Sequence, residues 1–226
     1  MGERAEMMAA YRLYWSERTG AFAPAAVMAE LELPCEAVRI EKAAREEAAY
    51  RALNPMGQIP TLVLPDGRVM SESAAIVLYM AQQVPDSGLV PKASEAIHPL
   101  FLRWLFFCQC NLYETVLRFA YPARYTDGDD VAAVADVRSA AAARMDALWD
   151  IVAAAIGDGS DSGPPYFFAA RFTVLDIYIA MLSAWHPDPP ALLRRLPVLA
   201  RLVGATVARP AIAPLWRTYH MHAGPA

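Results

Sequence analysis

Apolar and polar positions first alternate at Tyr11-Arg12-Leu13-Tyr14-Trp15, an aromatic-rich run that predicts a strand. After the polar loop Ser16-Glu17-Arg18-Thr19-Gly20, apolar positions take helical spacing over residues 23–33, with Pro24 in the first turn and Pro34 at the stop. Residues 35–40 predict a second strand. Residues 43–53 predict a second helix, ended by Asn54-Pro55 because the residue before a proline is pushed out of the helical region. Residues 61–64 and 68–70 flank Pro65-Asp66-Gly67, a turn with glycine where φ is positive, so they predict an antiparallel hairpin. A third helix opens at Ser71-Glu72-Ser73 with a serine cap and continues through Tyr79 and Met80. The order is βαβα followed by ββα, which predicts a small mixed sheet covered on both faces.

The pattern changes after Gln83. Val84 to Pro91 is rich in turn residues, and from Ser94 onward the apolar positions keep a helical period with no convincing alternation. This predicts a first domain over 10–83, a linker over 84–94 and an all-helical domain over 95–226, with helices at 95–120, 131–156, 174–185 and 192–207. Residues 157–165 predict an exposed loop. Thr173, with Asp176 three residues on, predicts a capping box that starts a buried helix and makes the pair a folding element.

Composition adds that 226 residues with 56% hydrophobic and 19% charged side chains suffice for a packed core. No apolar run is long enough for a membrane span, and Glu3, Arg4 and Glu6 interrupt the first ten residues, so no membrane role and a cytoplasmic location are expected. A net charge of −4 without a basic cluster gives nucleic-acid binding no electrostatic support. Three cysteines fit a reducing compartment. Cys108 and Cys110 stand two apart on a helix and face different ways, so core packing is expected of them and a structural role of Cys35. His220 and His222 have no acidic or thiol partner nearby in sequence and are expected to face solvent, and no metal is assigned.

Two stretches carry candidate chemistry. A proline at a strand start leaves a ladder position without a donor, so the Ile59 backbone beside Pro60 is open to a peptide-like ligand. The free amides of the helix at Ser71-Glu72-Ser73 attract a carboxylate, and Glu72 adds a negative charge there. Carboxylate and ammonium together describe an α-amino acid end.

Asn54-Pro55-Met56-Gly57-Gln58-Ile59-Pro60-Thr61-Leu62, followed by Glu72-Ser73-Ala74-Ala75-Ile76, resembles the glutathione-binding half of the cytosolic glutathione transferases, bacterial type. The resemblance implies an α+β fold in which an N-terminal thioredoxin-like βαβαββα domain precedes a C-terminal all-α bundle. It implies glutathione as co-substrate, with Ile59 before a cis Pro60 pairing with the cysteinyl backbone, Glu72 and Ser73 holding the γ-glutamyl end, and Gln58 as a further glutathione-binding residue. Arg45 and Lys42 are candidates for the glycine carboxylate. A transferase must keep the glutathione thiol ionised near neutral pH. Matching Ala23-Pro24 to the family's helix start puts Thr19 where serine-type members carry serine, with Ser16 as the fallback, and puts Gly20 where cysteine-type members keep cysteine. Tyr113 falls where some bacterial members line the active site, and Phe107 and Asn111 stand at helical spacing that could join it against a small hydrophobic electrophile. The resemblance further implies a homodimer with a detoxification role. A non-catalytic glutathione-binding or interaction module, or a glutathione-dependent isomerase, etherase or peroxidase, remains as an alternative.

Overall fold

A computed structural model of the chain describes residues 10–127, 130–156 and 165–221; Gly157 to Pro164 of the predicted exposed loop, and His222, lie outside them. The aromatic-rich run forms strand β1 (Tyr11–Trp15), followed by helix α1 (Phe22–Glu30), strand β2 (Cys35–Arg39) and helix α2 (Ala48–Leu53). Strands β3 (Thr61–Val63) and β4 (Val69–Met70) make the hairpin, and helix α3 (Ser73–Gln83) closes the unit. The strand order is β2-β1-β3-β4, with β2 parallel to β1 and β3 antiparallel to both its neighbours. Gly67 supplies the positive φ of the turn, 85°, and its amide donates to Leu64 O at 2.9 Å.

The helical half comprises α4 (His98–Phe107), α5 (Glu114–Ala120), α6 (Val131–Ala155), α7 (Val174–Ser183), α8 (Pro189–Arg195), α9 (Pro197–Val207) and α10 (Ile212–Thr218). Every residue of α7 is buried, which explains why only Asp176 and Ser183 interrupt its apolar sequence. Its first turn is held by the predicted capping box. Both Thr173 N, at 2.7 Å, and Thr173 Oγ1, at 3.0 Å, donate to one oxygen of Asp176, and Phe167 N donates to the other at 2.7 Å. Helix α1 packs against α3, α7 and α10, so it is buried on nearly every side. Glu30 at its end receives Arg209 Nη2 at 2.7 Å and Nε at 2.8 Å, tying the sheet unit to the end of α9.

Four local expectations are corrected. The second helix is split by extended Glu47, which leaves a 3-10 turn at Ala43–Glu46 before α2. The helix expected over 192–207 is two, because Leu196 takes a non-helical conformation before Pro197, which opens α9 at its first position. Glu72, with φ 66°, is the N-cap of α3 in place of a serine, and no side chain caps that end. Cys108 is fully buried, whereas Cys110 is exposed, since two residues of turn carry it to the opposite face.

Candidate active site

The loop around Pro60 is built from α2. Asn54 Nδ2 donates to Gln58 O and Thr61 Oγ1, both at 3.0 Å, and the Tyr50 hydroxyl donates to Gln58 O at 2.8 Å while meeting Thr61 Oγ1 at 2.8 Å. These side chains are buried, so the network fixes the segment between helix and strand. Gly57 takes a φ of 62°, and a Cβ there would meet Arg45 O at 3.1 Å. The Ile59-Pro60 bond is cis. Among the described residues neither the amide nor the carbonyl of Ile59 has a partner. The backbone edge expected from the strand-start proline is open.

That edge faces a cleft of about 770 Å³, a size that suits a small-molecule ligand. Ser16, Thr19, Gln58, Ile59, Lys42 and Arg45 all line it, as do Gly20, Tyr113 and Trp185. Glu72 stands exposed at the start of α3, close enough for its charge to help keep the Tyr113 phenol protonated. Ser73 is buried, and its hydroxyl meets the Tyr178 hydroxyl at 2.7 Å and Gln109 Oε1 at 3.5 Å. The side chain of Ser73 therefore ties α3 to α7, and its backbone amide remains for an anion at the helix start.

The expected thiol-activating loop has a specific bonding pattern. Thr19 Oγ1 donates to Ser16 O at 2.8 Å, which commits the threonine proton within the loop. Gly20 is buried, and a Cβ on it would lie 2.5 Å from Tyr113 Oη and 3.3 Å from Pro60 Cδ. A phenol hydroxyl from the helical half thus covers the place a side chain at position 20 would fill. Tyr113 packs edge-on against Trp185 at 5.2 Å, and burial, with the Glu72 charge second, pushes its phenol well above the ordinary tyrosine range. It stays a donor throughout the physiological pH range.

The remaining expected residues on this helix lie elsewhere. Between α4 and α5 the chain makes a π-helical turn at Cys108–Tyr113, so the period over which Phe107 and Asn111 appeared to join Tyr113 does not hold. Asn111 Oδ1 accepts from Arg144 at 3.3 Å beside α6, and Phe107 packs edge-on to Trp104 at 5.2 Å; neither lines the cleft. The wall is instead Tyr113, Val116, Leu117 and Ala120, continued by Tyr121 and Arg124. An i, i+3, i+4, i+7 pattern starting at Tyr113 was readable in the sequence once Tyr113 was chosen as its origin.

Arg18 was missed altogether. It takes a φ of 54°, its amide donates to Tyr219 O at 2.9 Å, and its side chain lines the cleft. Both acids of the cleft wall are engaged: Glu17 pairs with Arg39 at 2.9 Å, and Glu46 with Arg51. Arg18, Lys42, Arg45 and Arg124 have no carboxylate at ion-pair distance among the described residues, so the cleft is electropositive.

Residues 23–83 match the family model described as glutathione S-transferase, N-terminal domain. The chain is 29% identical over 147 residues to an uncharacterized GST-like protein, YncG, of Escherichia coli K12, an alignment covering 65% of each protein. It is 26% identical over 139 residues to the glutathione S-transferase GstA of Escherichia coli O157:H7, covering 60% of this chain and 61% of that one. The matches thus span a little under two thirds of these relatives' length. A glutathione transferase homolog from Sulfitobacter, solved with bound glutathione, shares the fold with a TM-score of 0.83 at 23% identity, over 93% of this chain and 98% of that chain. An open Ile59 edge beside a cis proline, the exposed start of α3, and a thioredoxin-like sheet unit joined to a helical bundle agree with these matches: residues 23–83 correspond to a glutathione S-transferase N-terminal domain, and the chain shares the fold of a solved glutathione transferase homolog.

Proposed function

We propose that the protein is a glutathione transferase that binds glutathione along the Ile59 edge and attacks an electrophilic carbon with the bound thiolate. The observation that carries this reading is the Ile59 backbone, without a partner among the described residues, opening on the same cleft as the Tyr113 hydroxyl, which likewise has no hydrogen-bond partner among them. The cysteinyl amide and carbonyl of glutathione pair with Ile59, the γ-glutamyl carboxylate with the amides of α3, and its ammonium with Glu72. Lys42 and Arg45 face the glycine carboxylate, and Gln58 lines the same cleft. The Arg45 Nε is buried without a partner among the described residues, which leaves a donor for that group.

Thiolate stabilisation falls chiefly to Tyr113. Thr19 reaches the sulfur only by releasing the Ser16 carbonyl, and Ser16 offers a second hydroxyl on the same wall. A preorganised donor aimed at developing negative charge stabilises the thiolate without reorganisation during the reaction. Catalysis on this reading needs no cysteine at position 20.

Conjugation of glutathione to 1-chloro-2,4-dinitrobenzene, read beside glutathione affinity by calorimetry, tests the reading. Both activities are expected; binding without turnover would favour a non-catalytic glutathione-binding module, and absence of binding would sink the proposal. Glu72→Gln removes the negative partner of the ammonium and is expected to raise the glutathione Kd about tenfold, because a hydrogen bond to a charged group contributes roughly 1.5 to 3 kcal/mol. An unchanged Kd in the same calorimetric titration would remove Glu72 from the site. In keeping with the resemblance the protein is read as a homodimer, with residues 70–80 and the helical stretch 95–120 as the contact; a monomer in light scattering at micromolar concentration would reject that assembly.

A further inference from the structure

We propose that the second substrate is an aromatic electrophile bearing a carboxylate, its ring on the wall of Tyr113, Val116 and Leu117 and its carboxylate between Arg18 and Arg124. This rests on the proposed function, since it names the partner of the same cleft. The apolar wall alone would suit a neutral ring. The two guanidinium groups at its end change the chemistry.

Arg18 is held in an unusual way. A left-handed backbone is uncommon for a residue with a Cβ, and here the conformation is fixed by the bond from its amide to Tyr219 O at 2.9 Å. Arg18 lines the cleft, with its Nε buried and without a hydrogen-bond partner among the described residues. A partly desolvated guanidinium with an unmet donor is costly until an anion reaches it. Arg124 comes from the turn after α5, and its guanidinium lies over the Tyr121 ring at 4.1 Å. Tyr121, which carries Arg124 on its ring, lines the same cleft as Arg18.

Nothing in the cleft wall neutralises them. Glu17 and Glu46 are committed to Arg39 and Arg51. Glutathione does not account for them either, because its glycine end is met by Lys42 and Arg45 near α2 and its γ-glutamyl end by Glu72 and the start of α3. Arg18 and Arg124 line the same cleft, Arg124 stacked on Tyr121 beyond the end of α5. Planar guanidinium forks match a carboxylate with two bonds each, and aromatic stacking suits the attached ring. In the reaction the thiolate forms a bond to the ring carbon, the carbon–halogen bond breaks with its electron pair on the departing halide, and the thiol proton passes to solvent.

The test compares 4-chloro-3-nitrobenzoate with the neutral 4-chloro-3-nitrobenzamide, each rate being divided by the uncatalysed reaction with glutathione at the same pH. The benzoate is expected to show a KM about tenfold or more below that of the amide, a preference that shrinks as salt is added. Arg124→Gln and Arg18→Gln should each raise the benzoate KM about tenfold and bring the ratio toward one. Equal KM values for the two compounds, or a ratio that neither variant moves, would overturn the inference while leaving the transferase reading intact. Loss of glutathione affinity in Arg18→Gln with the ratio unchanged would also overturn it, by assigning that cation to glutathione. If neither compound is turned over, tryptophan fluorescence titration with 3-nitrobenzoate and 3-nitrobenzamide reads the same preference directly. An anion preference lost in Arg124→Gln supports the inference even if the transferase reading has failed, and no preference rejects it.

Discussion

Asp176→Asn is expected to lower the free energy of unfolding by about 3 kcal/mol, the scale of breaking a buried charge-assisted network. One carboxylate oxygen accepts from Thr173 N and Thr173 Oγ1 and the other from Phe167 N, and the group is fully buried. An amide has one oxygen and one NH2, so whichever way it turns, a donor faces a donor. In a chain of this size about 3 kcal/mol corresponds to a fall of roughly 6–12 °C in the melting temperature. The damage would not stay local, because α7 also carries Tyr178, which holds Ser73 at the start of α3. Glutathione affinity should therefore fall with stability, and urea denaturation beside calorimetry reads both. Unchanged stability would mean that the capping box contributes nothing beyond what the packing of α7 supplies.

The same carboxyl has a defined pH signature. Burial pushes its pKa up to about 6, against the three bonds that favour the ionised form. An unfolded chain titrates this group near 4, so between about pH 4 and 6 the folded chain holds a proton that the unfolded chain has released. The raised value therefore contributes stability that is present in full below about pH 4 and lost as pH rises through 6. The gap in stability between wild type and Asp176→Asn should widen as pH falls from 7 to 4. A gap that narrows over that range would show that the hydrogen bonds outweigh burial.

What the sequence revealed and what it concealed divide by the range over which residues act. The β3–β4 hairpin, the stop at Asn54, the α7 capping box and the proline before β3 are each written within a few residues, and local sterics and hydrogen bonding decide them. The break before Pro197 was written just as locally, yet the apolar period running through Leu192, Leu196 and Leu199 masked it. The π-turn at Cys108–Tyr113 has no such mark. It adds residues to a turn without interrupting the apolar pattern, and it defeats any face assigned by extending an α-helical period across it. The electropositive end of the cleft was beyond reach for another reason. Arg18, Tyr121 and Arg124 reach one cleft from distant parts of the chain, the loop after β1, which bonds to Tyr219, and the turn after α5. A left-handed arginine carries no signal of its own in a polar loop.

The same long-range meeting makes Tyr113 the residue whose loss should cost catalysis most. Tyr113→Phe keeps the ring against Trp185 and removes only the hydroxyl, so glutathione affinity should change little. The bound thiol's pKa should rise by about one unit, since a donor to the thiolate is worth on the order of 1.4 kcal/mol per unit. Removing one donor to a developing anion costs other enzymes about 100- to 1,000-fold in kcat, and with Ser16 and the Thr19 loop still present a loss nearer the lower figure is expected. Gly20→Ala supplies an independent approach to the same hydroxyl, because its methyl would stand 2.5 Å from Tyr113 Oη and must displace the phenol. In the wild-type background it should raise the thiol pKa as Tyr113→Phe does. In the Tyr113→Phe background that steric conflict is gone, so adding Gly20→Ala should cost little more, and the two effects should be strongly non-additive. Ultraviolet titration of the bound thiolate and single-turnover rates decide the matter. If Tyr113→Phe leaves both unchanged while Ser16→Ala or Thr19→Val shifts them, the thiolate is held by the loop after β1, and the phenol over Gly20 serves packing alone.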